Sequence, residues 1–212
     1  MSAYFIAGTG TGVGKTFATC ALAHALGAKA YKPIVSGFTG DDTDTHQLIA
    51  AMGVGRVEEV SPWRFTAPLS PDMAAARENR HIDLTELNEW CAVRAEAEGV
   101  VLFETVGGVM VPLDTRHTTR DWMAALNLPV ILVAGSYLGT ISHTLTAIAA
   151  LRAAGLAIHA LILNESQYSP VPLAELAASI HTHAALPLIV AQPRVSSWRE
   201  AQAIHAFARE LR

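Results

Sequence analysis

A glycine-rich stretch near the start of the chain, GTGTGVGKT over residues 8–16, has the residue types of a phosphate-binding loop. Glycines let backbone N–H groups approach phosphate oxygens, Lys15 can neutralise phosphate charge, and Thr16 can bind Mg²⁺ through its hydroxyl. The usual spacing is G-x-x-x-x-G-K-[ST], but here the first glycine comes one position early, at Gly8, with Thr9 in the expected place. A glycine turn without a ligand would not account for the successive glycine, lysine and threonine that follow, so the stretch predicts a nucleotide site.

Two acids are candidates for the metal site that such a loop requires. Glu104 ends the apolar run VVLFE, where the carboxyl end of a strand borders the ligand crevice of an α/β sheet. Asp44, in DDTDTH, is a further candidate, because Mg²⁺ prefers hard oxygen ligands such as these carboxylates and the hydroxyl of Thr16. The alternatives are an ordinary strand-end acid and a local acidic cluster. Asp41 and Asp42 are expected to be solvated turn residues.

Five short apolar runs, each bounded by glycine, proline or asparagine, predict strands that are buried on both faces. Segments rich in Ala and Leu at helical spacing lie between them, an alternation that is typical of βαβ units. The sequence therefore predicts one P-loop NTPase-like α/β domain over residues 1–212, with a doubly wound, mostly parallel sheet and helices on both faces. Residues 61–72 contain three prolines and are expected to form a binding loop without regular helix or central strand. The predicted strands are residues 3–8, 100–104, 129–135, 158–164 and 187–191, and the predicted helices are residues 15–26, 84–97, 140–154, 173–184 and 198–211.

The overall composition favours small-molecule chemistry in a reducing compartment. The 212 residues are 51% hydrophobic and carry a net charge of −4, so no basic excess is present to attract nucleic acid or anionic membranes. Cys20 and Cys91 lack metal-type spacing and are expected to be reduced core residues. The first residues contain no basic segment and only a short apolar run, so a cytoplasmic location is expected. Residues 143–163 are apolar, but Arg152 and Gly155 favour a helix followed by a strand over a membrane span.

The motifs along the chain resemble those of the dethiobiotin synthetase family. The loop of residues 8–16 matches that family's longer spelling, G-T-x-T-x-V-G-K-T, at every fixed position. The resemblance continues in order and covers nearly the whole chain. It includes YKPIVSG, TDTHQL, APLSPDMAA, FETVGGVMVPL and PVILVAGSYLGTISH, together with ILN, which is similar to the strand before the family's adenine contact.

The resemblance implies an ATP- and Mg²⁺-dependent ring closure, the penultimate step of biotin synthesis. In that reaction 7,8-diaminononanoate, CO₂ and ATP give dethiobiotin, ADP and phosphate through a carbamate and a carbamic–phosphoric anhydride. Phosphorylation turns the carbamate oxygen into a good leaving group for attack by the second amine, so catalysis is mostly positioning and charge neutralisation. The chain is therefore expected to be a ligase that forms C–N bonds.

The same resemblance implies roles for individual catalytic residues. Lys15 and Lys32 would neutralise the transferred phosphoryl group, while Thr11 and Ser36 would hydrogen-bond the carbamate or the diamine. For Lys32 the alternative is a solvated strand-end lysine, and for Ser36 it is an ordinary turn serine. The expected ligands of Mg²⁺ are Thr16, Asp44 and Glu104.

The remaining assignments concern nucleotide and substrate binding. Asn164 is the candidate for contact with the adenine edge, although a strand-end asparagine is commonly a turn former. The segment PLSP resembles the family's substrate loop. The nucleotide-binding candidates are Gly8, Gly12, Val13, Gly14, Lys15, Thr16, Asn164, Gln192 and Pro193, and the substrate-binding candidates are Ser36, Pro68, Pro71, Leu138, Gly139, Thr140 and Ser142.

The segment SYLGTISH, residues 136–143, follows a predicted strand and opens a predicted helix with Thr140 or Ser142 as its cap. A helix N-terminus can hold a carboxylate with its free N–H groups and its dipole, and the diamine carries a carboxylate at the end of an apolar chain. The resemblance implies that this helix start belongs to the active site of the second subunit in a homodimer. A plain capped helix is the alternative.

The chain departs from the family pattern beside the predicted site. Two small residues of the family's glycine-rich motif are replaced by Thr105 and Val106, and an acid often found in the phosphate loop is replaced by Gly12. Tyr137 and Ser142 replace a lysine and an asparagine of the helix-start motif. None of these changes removes the phosphate-binding residues.

Two other functions stay open. A partitioning or division ATPase of the deviant P-loop group would carry an extra lysine early in the loop, where this chain has residues 9–11, TGT. A nucleotide-binding regulator without catalysis is the other. The intact set of Lys15, Thr16, Asp44 and Glu104 argues against it.

Overall fold

The computed structural model describes residues 2–40 and 43–211, so the predicted turn residues Asp41 and Asp42 lie outside the described residues. Strands and helices alternate along the chain, as the apolar runs predicted. The strands are β1 Ser2–Gly8, β2 Lys29–Tyr31, β3 Ile34–Ser36, β4 Trp63–Phe65, β5 Val100–Glu104, β6 Val130–Gly135, β7 Ile158–Asn164 and β8 Ile189–Gln192. The helices are α1 Lys15–Leu26, α2 Thr43–Met52, α3 Val57–Val60, α4 Pro71–Arg77, α5 Leu84–Ala95, α6 Thr119–Leu126, α7 Thr140–Ala153, α8 Leu173–Ala184 and α9 Gln202–Ala208, with 3-10 turns at Trp198–Glu200 and Arg209–Leu211.

Six strands form a parallel sheet in the order β2-β5-β1-β6-β7-β8. Side chains on β1 alternate between its two faces, with Phe5 in one hydrophobic cluster and Ile6 in the other. Helices α1, α2 and α9 contribute to the Ile6 cluster, whereas α5, α6, α7 and α8 contribute to the Phe5 cluster. The predicted doubly wound sheet with helices on both faces is therefore confirmed.

A second, two-stranded sheet pairs β3 with β4 in parallel. Periodicity did not indicate these three-residue strands or β2, because a run of three residues carries no readable period. Only the resemblance of YKPIVSG implied a strand beside Lys32. The expectation that residues 61–72 contain no regular helix or central strand is wrong only at the end of the segment, where α4 begins, since β4 is an edge strand of a two-stranded sheet. Strand β4 lies in this segment, and α4 begins at Pro71, a position where proline costs little because the first N–H of a helix has no internal partner.

The predicted C-terminal helix of residues 198–211 is divided in the structure. Ala201 has φ −74° and ψ 66°, which is not helical, and it separates a 3-10 turn from α9. The side-chain oxygen of Gln192 accepts the backbone N–H of Ile204 at 3.3 Å and so supplies one of the missing partners at the start of α9. This hydrogen bond from β8 thus lies beside the break at Ala201, which local helix propensity did not indicate.

Two further predictions about buried segments are confirmed. Residues 143–163 form the body of α7 and most of β7, and the described ranges contain no helix with the length and apolar character needed to cross a membrane. Cys20 on α1 and Cys91 on α5 are free and fully buried, and burial raises the pKa of each thiol to about 12. Both cysteines are core residues.

Candidate nucleotide site and active centre

The phosphate loop connects the end of β1 to the start of α1, at the centre of the large sheet. Gly14 occupies the N-cap position with φ 88°, a left-handed conformation that favours glycine, and the helix begins at Lys15 as predicted. Within the described chain no side chain caps this helix, so its first N–H groups point toward the loop opening. The element provides backbone donors and a positive dipole end for an anion.

Gly8 makes room for the side chain of Lys15. A Cβ atom at Gly8 would lie 2.8 Å from Lys15 Cδ and 2.9 Å from Lys15 Nζ, distances too short for real contacts. The ammonium group of Lys15 folds back over this glycine and donates to the carbonyl of Gly10 at 2.8 Å. The early glycine of the loop therefore has a structural explanation, because it allows the lysine to lie along the strand end. Burial is the main reason that the pKa of Lys15 falls to about 8.

Three side chains from other parts of the chain gather around Glu104 at the end of β5. Its Oε1 atom accepts the hydroxyl of Thr16 at 2.7 Å and lies 3.0 Å from Lys32 Nζ, which also contacts Asp44 Oδ2. Glu104 is fully buried, and its Oε2 atom has no hydrogen-bond partner within residues 2–40 and 43–211. A buried unpartnered carboxylate oxygen beside a hydroxyl and a second carboxylate fits Mg²⁺, which prefers hard oxygen ligands. The predicted metal residues are thus brought together.

Lys32 is buried rather than solvated, so the strand-end alternative for this residue is wrong. It is 6% exposed and follows β2 directly. Burial by itself would lower its pKa, but the carboxylates of Glu104 and Asp44 outweigh burial and raise the pKa of Lys32. The ammonium group therefore stays charged over the ordinary pH range.

A cavity of about 680 Å³ lies over this group of charges. Its apolar wall includes Val106 and Val111, so it combines charged and apolar surfaces as a site for an amine with a hydrocarbon chain would. Ser36 lines it, and the hydroxyl of this serine has no partner in the described residues. The predicted residues that line the cavity are Thr11, Gly12, Gly14, Lys15, Thr16, Lys32, Ser36, Asp44, Pro68, Pro71 and Glu104.

Sequence reasoning missed several residues of this cavity, among them Phe17, Gln47 and Ser70. Gln47 lies three positions after Asp44 on α2, so recognition of that helix would have placed both on one face. Ser70 lies inside the predicted PLSP segment, and its hydroxyl is buried without a partner in the described chain. Phe17 follows the loop on α1, and its position carried no signal beyond apolar character.

A second cavity of about 420 Å³ adjoins the first, and Gly12, Gly14 and Phe17 line both. Asn164 lines it and donates from Nδ2 to the carbonyls of Val13 at 3.0 Å and Gly14 at 3.3 Å. A Cβ atom on Gly14 would lie 2.4 Å from that nitrogen. Asn164 therefore joins the end of β7 to the phosphate loop, beside a cavity suited to the base of a nucleotide.

Gln192 and Pro193 also line the second cavity, as predicted for the base pocket. The amide of Gln192 is 2% exposed, donates to the carbonyl of Pro193 at 2.7 Å and accepts from Ile204. Its hydrogen-bonding groups are thus used within the chain. The structure favours a positioning role for Gln192, and direct contact with a base stays a prediction.

The start of α7 lies apart from both cavities, because none of its four predicted substrate residues lines either one. The predicted capping residues are wrong: Gly139 is the N-cap with φ 96°, and the hydroxyl of Thr140 instead donates to the carbonyl of Gly135 at 2.6 Å. Ser142 is exposed, and Leu138 is 86% exposed. Within one chain these residues do not join the active centre.

Comparisons with known proteins identify relatives along nearly the whole chain. A family model described as an AAA domain matches residues 2–201. The chain is 45% identical over 197 residues to the ATP-dependent dethiobiotin synthetase BioD of Acidiphilium cryptum, covering 86% of this chain and 88% of that protein. It is 43% identical over 207 residues to the protein of the same name from Methylobacterium nodulans, covering 89% and 92%.

Solved structures with the same fold are more distant in sequence. The septum site-determining protein MinD from Pyrococcus horikoshii, complexed with Mg-ADP, aligns with a TM-score of 0.59 at 19% identity and covers 99% of this chain and 94% of that one. A ParA family ATPase from Chlorobium tepidum aligns with a TM-score of 0.62 at 12% identity, covering 100% and 98%. At these identities the likeness concerns the fold alone. The curated relatives are similar over most of their length and share far more residues, and the chain belongs to the ATP-dependent dethiobiotin synthetase family.

Proposed function

We propose that this protein is an ATP-dependent dethiobiotin synthetase that acts in biotin synthesis. The observation that carries the proposal is the meeting of Lys15, Thr16, Lys32, Asp44 and Glu104 at one cavity beside the phosphate loop, in a chain of this family. The cavity offers charge compensation for a phosphoryl group at one end and apolar surface for a hydrocarbon chain at the other. ATP and Mg²⁺ are the expected cofactors.

The proposed reaction joins 7,8-diaminononanoate and CO₂ at the expense of ATP. One amine adds to CO₂ to give a carbamate, whose oxygen takes the γ-phosphoryl group and leaves ADP. The second amine then attacks the carbamate carbon, and phosphate departs with that oxygen as the ring closes. Overall the diamine, CO₂ and ATP yield dethiobiotin, ADP and phosphate. Each amine nitrogen loses a proton as its C–N bond forms, and one oxygen of CO₂ leaves in the phosphate.

Residues of this chain would position the reactants and balance their charge. Lys15 from the loop and Lys32 after β2 would neutralise the charge of the phosphoryl group that is transferred. Thr11 and Ser36, which line the same cavity, would hydrogen-bond the carbamate or the amines. Mg²⁺ held by Thr16 and the two carboxylates would supply positive charge to the phosphate oxygens.

Binding of the carboxylate at the far end of the substrate favours a homodimer with shared active sites. The start of α7, residues 138–142, has no side-chain cap in the described structure, so this helix end is suited to a carboxylate, but it does not line the cavity of its own chain. Apolar side chains stand exposed near it, with Leu138 86% and Met110 48% accessible. A third cavity, between Met110 and His143, runs beside Thr11. We therefore propose that a second subunit covers this surface and donates its α7 start to the substrate.

The partitioning or division ATPase is the weaker alternative. The solved structures of that class share 12–19% of residues with this chain, which supports a common fold only. The loop has no lysine within residues 9–11, where that class carries one. We also propose a cytoplasmic location, which the two free and buried thiols support because disulfides are rare there.

The direct test measures phosphate release from MgATP with diaminononanoate and bicarbonate, omitting each component in turn, and follows dethiobiotin by mass spectrometry. We expect phosphate and dethiobiotin in equal amounts, and neither product when any component is missing. ATP hydrolysis that proceeds at the same rate without the diamine would instead favour a switch ATPase.

Replacing Lys15 by Ala tests the role of the phosphate loop in turnover. The turnover rate should fall by about a hundredfold or more, because a positioned cation is lost from the transferring phosphoryl group. The fold should persist, since among residues 2–40 and 43–211 the ammonium group donates a hydrogen bond to the carbonyl of Gly10 alone. Lys29→Ala on β2 is the control, because this lysine is exposed and lines none of the cavities described above. Near-normal turnover in Lys15→Ala would remove the phosphate loop from the mechanism.

A further inference from the structure

Two serines outside the proposed catalytic group join the end of β6 to the end of β7. The strands pair in register up to Gly135 and Asn164, and Ser136 and Ser166 follow within two residues. The backbone N–H of Ser136 donates to Ser166 Oγ at 3.0 Å, and the backbone N–H of Ser166 donates to Ser136 Oγ at 2.8 Å. Each hydroxyl therefore accepts the backbone N–H of the other serine.

The pair is packed as a fixed contact. Ser136 is fully buried and Ser166 is half-buried. A Cβ atom on Gly135 would lie 2.9 Å from Ser166 Oγ and 3.2 Å from the Tyr137 ring, so a side chain at this position would push the two loops apart. Loss of either hydroxyl would leave a buried backbone N–H without its acceptor, which is costly because water cannot easily replace it.

On one side the pair holds the wall of the second cavity. Ser166 lines that cavity together with Glu165 and Arg194. The backbone N–H of Glu165 donates to the carbonyl of Gln192 at 2.9 Å, and its carboxylate accepts the N–H of Arg194 at 2.9 Å. The loop after β7 is thus tied to β8 on one flank and to Ser136 on the other.

On the other side the pair holds the turn that opens α7. Ser136 begins this turn, in which the N–H of Thr140 donates to the carbonyl of Tyr137 at 3.1 Å. The hydroxyl of Thr140 returns to the carbonyl of Gly135 at 2.6 Å. These two hydrogen bonds hold residues 135–140 in a compact turn. The orientation of this turn relative to β7 depends on the serine pair.

We infer that Ser136 and Ser166 are positioning residues, which keep the base cavity and the α7 turn in one fixed arrangement. The part of this inference that concerns the α7 turn rests on the proposed function, in which the turn binds the substrate carboxylate in the partner subunit's active site. The nucleotide half depends only on the cavity that Ser166 lines. The pair then links the nucleotide site of one subunit to the substrate site of the other.

The test compares variants of equal shape at Ser166. Ser166→Thr keeps a hydroxyl, whereas Ser166→Val has the same outline without one, and Ser136→Ala removes the partner. In Ser166→Val and Ser136→Ala we expect the Kd for ADP and the KM for diaminononanoate each to rise about two- to tenfold, the range of one hydrogen bond. The kcat at saturation should stay unchanged, because neither serine contacts the reacting atoms. Ser166→Thr should stay close to the wild type.

Ser169→Ala is the control within the same loop, since that hydroxyl donates to the carbonyl of Val171 away from the pair. It should leave the Kd for ADP and the KM unchanged. Thermal unfolding of every variant checks the fold. If Ser166→Val and Ser136→Ala lose only thermal stability while Kd and KM match Ser166→Thr, the positioning role is overturned. If the wild type does not consume diaminononanoate, the proposed function fails, and ADP binding still decides whether the pair positions the base cavity.

Discussion

A single carboxylate organises the charges of the active centre. One oxygen of Glu104 accepts a hydrogen bond from the hydroxyl of Thr16 and pairs with the ammonium group of Lys32. The other oxygen is buried and has no hydrogen-bond partner in the described part of the chain. Two lysines and two carboxylates meet here, so their formal charges balance, and the buried Lys15, Lys32 and Glu104 each remain near an opposite charge. Such a group can receive a phosphate and its cation without leaving any charge buried and unpaired.

Removing either carboxylate should change the response to magnesium. For Glu104→Gln and Asp44→Asn we expect the Mg²⁺ concentration for half-maximal turnover to rise about tenfold or more, because each substitution removes a hard anionic oxygen from the cation. The measurement is initial rate against free Mg²⁺ at fixed ATP. Asp121→Asn is the control, since this aspartate caps α6 away from the cavity. An unchanged Mg²⁺ curve would exclude the substituted residue from the metal site.

At the level of elements, the strand, loop and helix around Lys15 act as one unit. The bounds of α1 agree with the prediction at both ends, and the loop spacing, with glycine one position early, suits a lysine that folds over the strand end. The early glycine and the lysine are seven positions apart, so their types and spacing were visible in the sequence. The contact between Gly8 and the side chain of Lys15 was not visible in the sequence, because it depends on the rotamer that the buried lysine adopts.

Gly8→Ala should disturb catalysis more than stability. The new Cβ would displace the flexible side chain of Lys15 and would press on the carbonyl oxygen of Gly10 at 3.0 Å, so a small shift of the loop is needed and the ammonium group leaves its position at Gly10. We expect kcat to fall about ten- to hundredfold, the scale of a small misplacement of a catalytic group, with a small change in the midpoint of thermal unfolding.

Gly10→Ala is the matched control for this substitution in the same loop. A Cβ at Gly10 meets nothing within 4 Å in the described structure, and its backbone φ lies outside the left-handed region. Equal losses of kcat in the two variants would show that the loop tolerates no side chain anywhere, and the specific link between Gly8 and Lys15 would be wrong.

At the level of the whole molecule, we propose that the active site is complete only in a dimer. The cavity over Glu104 holds the groups for phosphoryl transfer, whereas the α7 start lies outside it on an exposed surface. A closed two-fold arrangement would bury the same surface on both chains and form two equivalent sites.

Mixed dimers test whether the sites are shared. A Lys15→Ala chain and a Gly139→Trp chain should each be inactive alone, and Gly139, with φ 96°, tolerates a bulky residue poorly. In a mixed dimer one site would carry both defects and the other none, so activity should recover to about half the wild-type rate per mixed dimer.

Mixing Lys15→Ala with Thr16→Ala is the control, because both defects lie in the phosphate loop and every site would keep one of them. No recovery in the first mixture, with subunit exchange verified, would place carboxylate binding within a single chain.

Much of the fold could be predicted because its signals are local. The helix bounds of α1 and α8 and the strand bounds of β5 and β7 agree with the prediction, since apolar period, glycine and proline act over a few residues. The start of α7 was predicted correctly, but its cap was not. Thr140 has the right residue type for a cap, yet its hydroxyl turns back to Gly135 within the folded turn. Short strands such as β2 and β3 follow from pairing with distant partners.

The sequence by itself determined the phosphate loop, the buried parallel strands and the chemical types that can hold a nucleotide and a cation, because spacing over a few residues specifies them. Only the tertiary structure decided that Asn164 bonds the carbonyl of Val13, 151 residues earlier, or that the amide oxygen of Gln192 accepts the backbone N–H of Ile204. It also decided that Lys32 is buried between two carboxylates rather than solvated. These contacts join residues far apart in sequence, and packing of the helices against both faces of the sheet is what brings them within bonding distance.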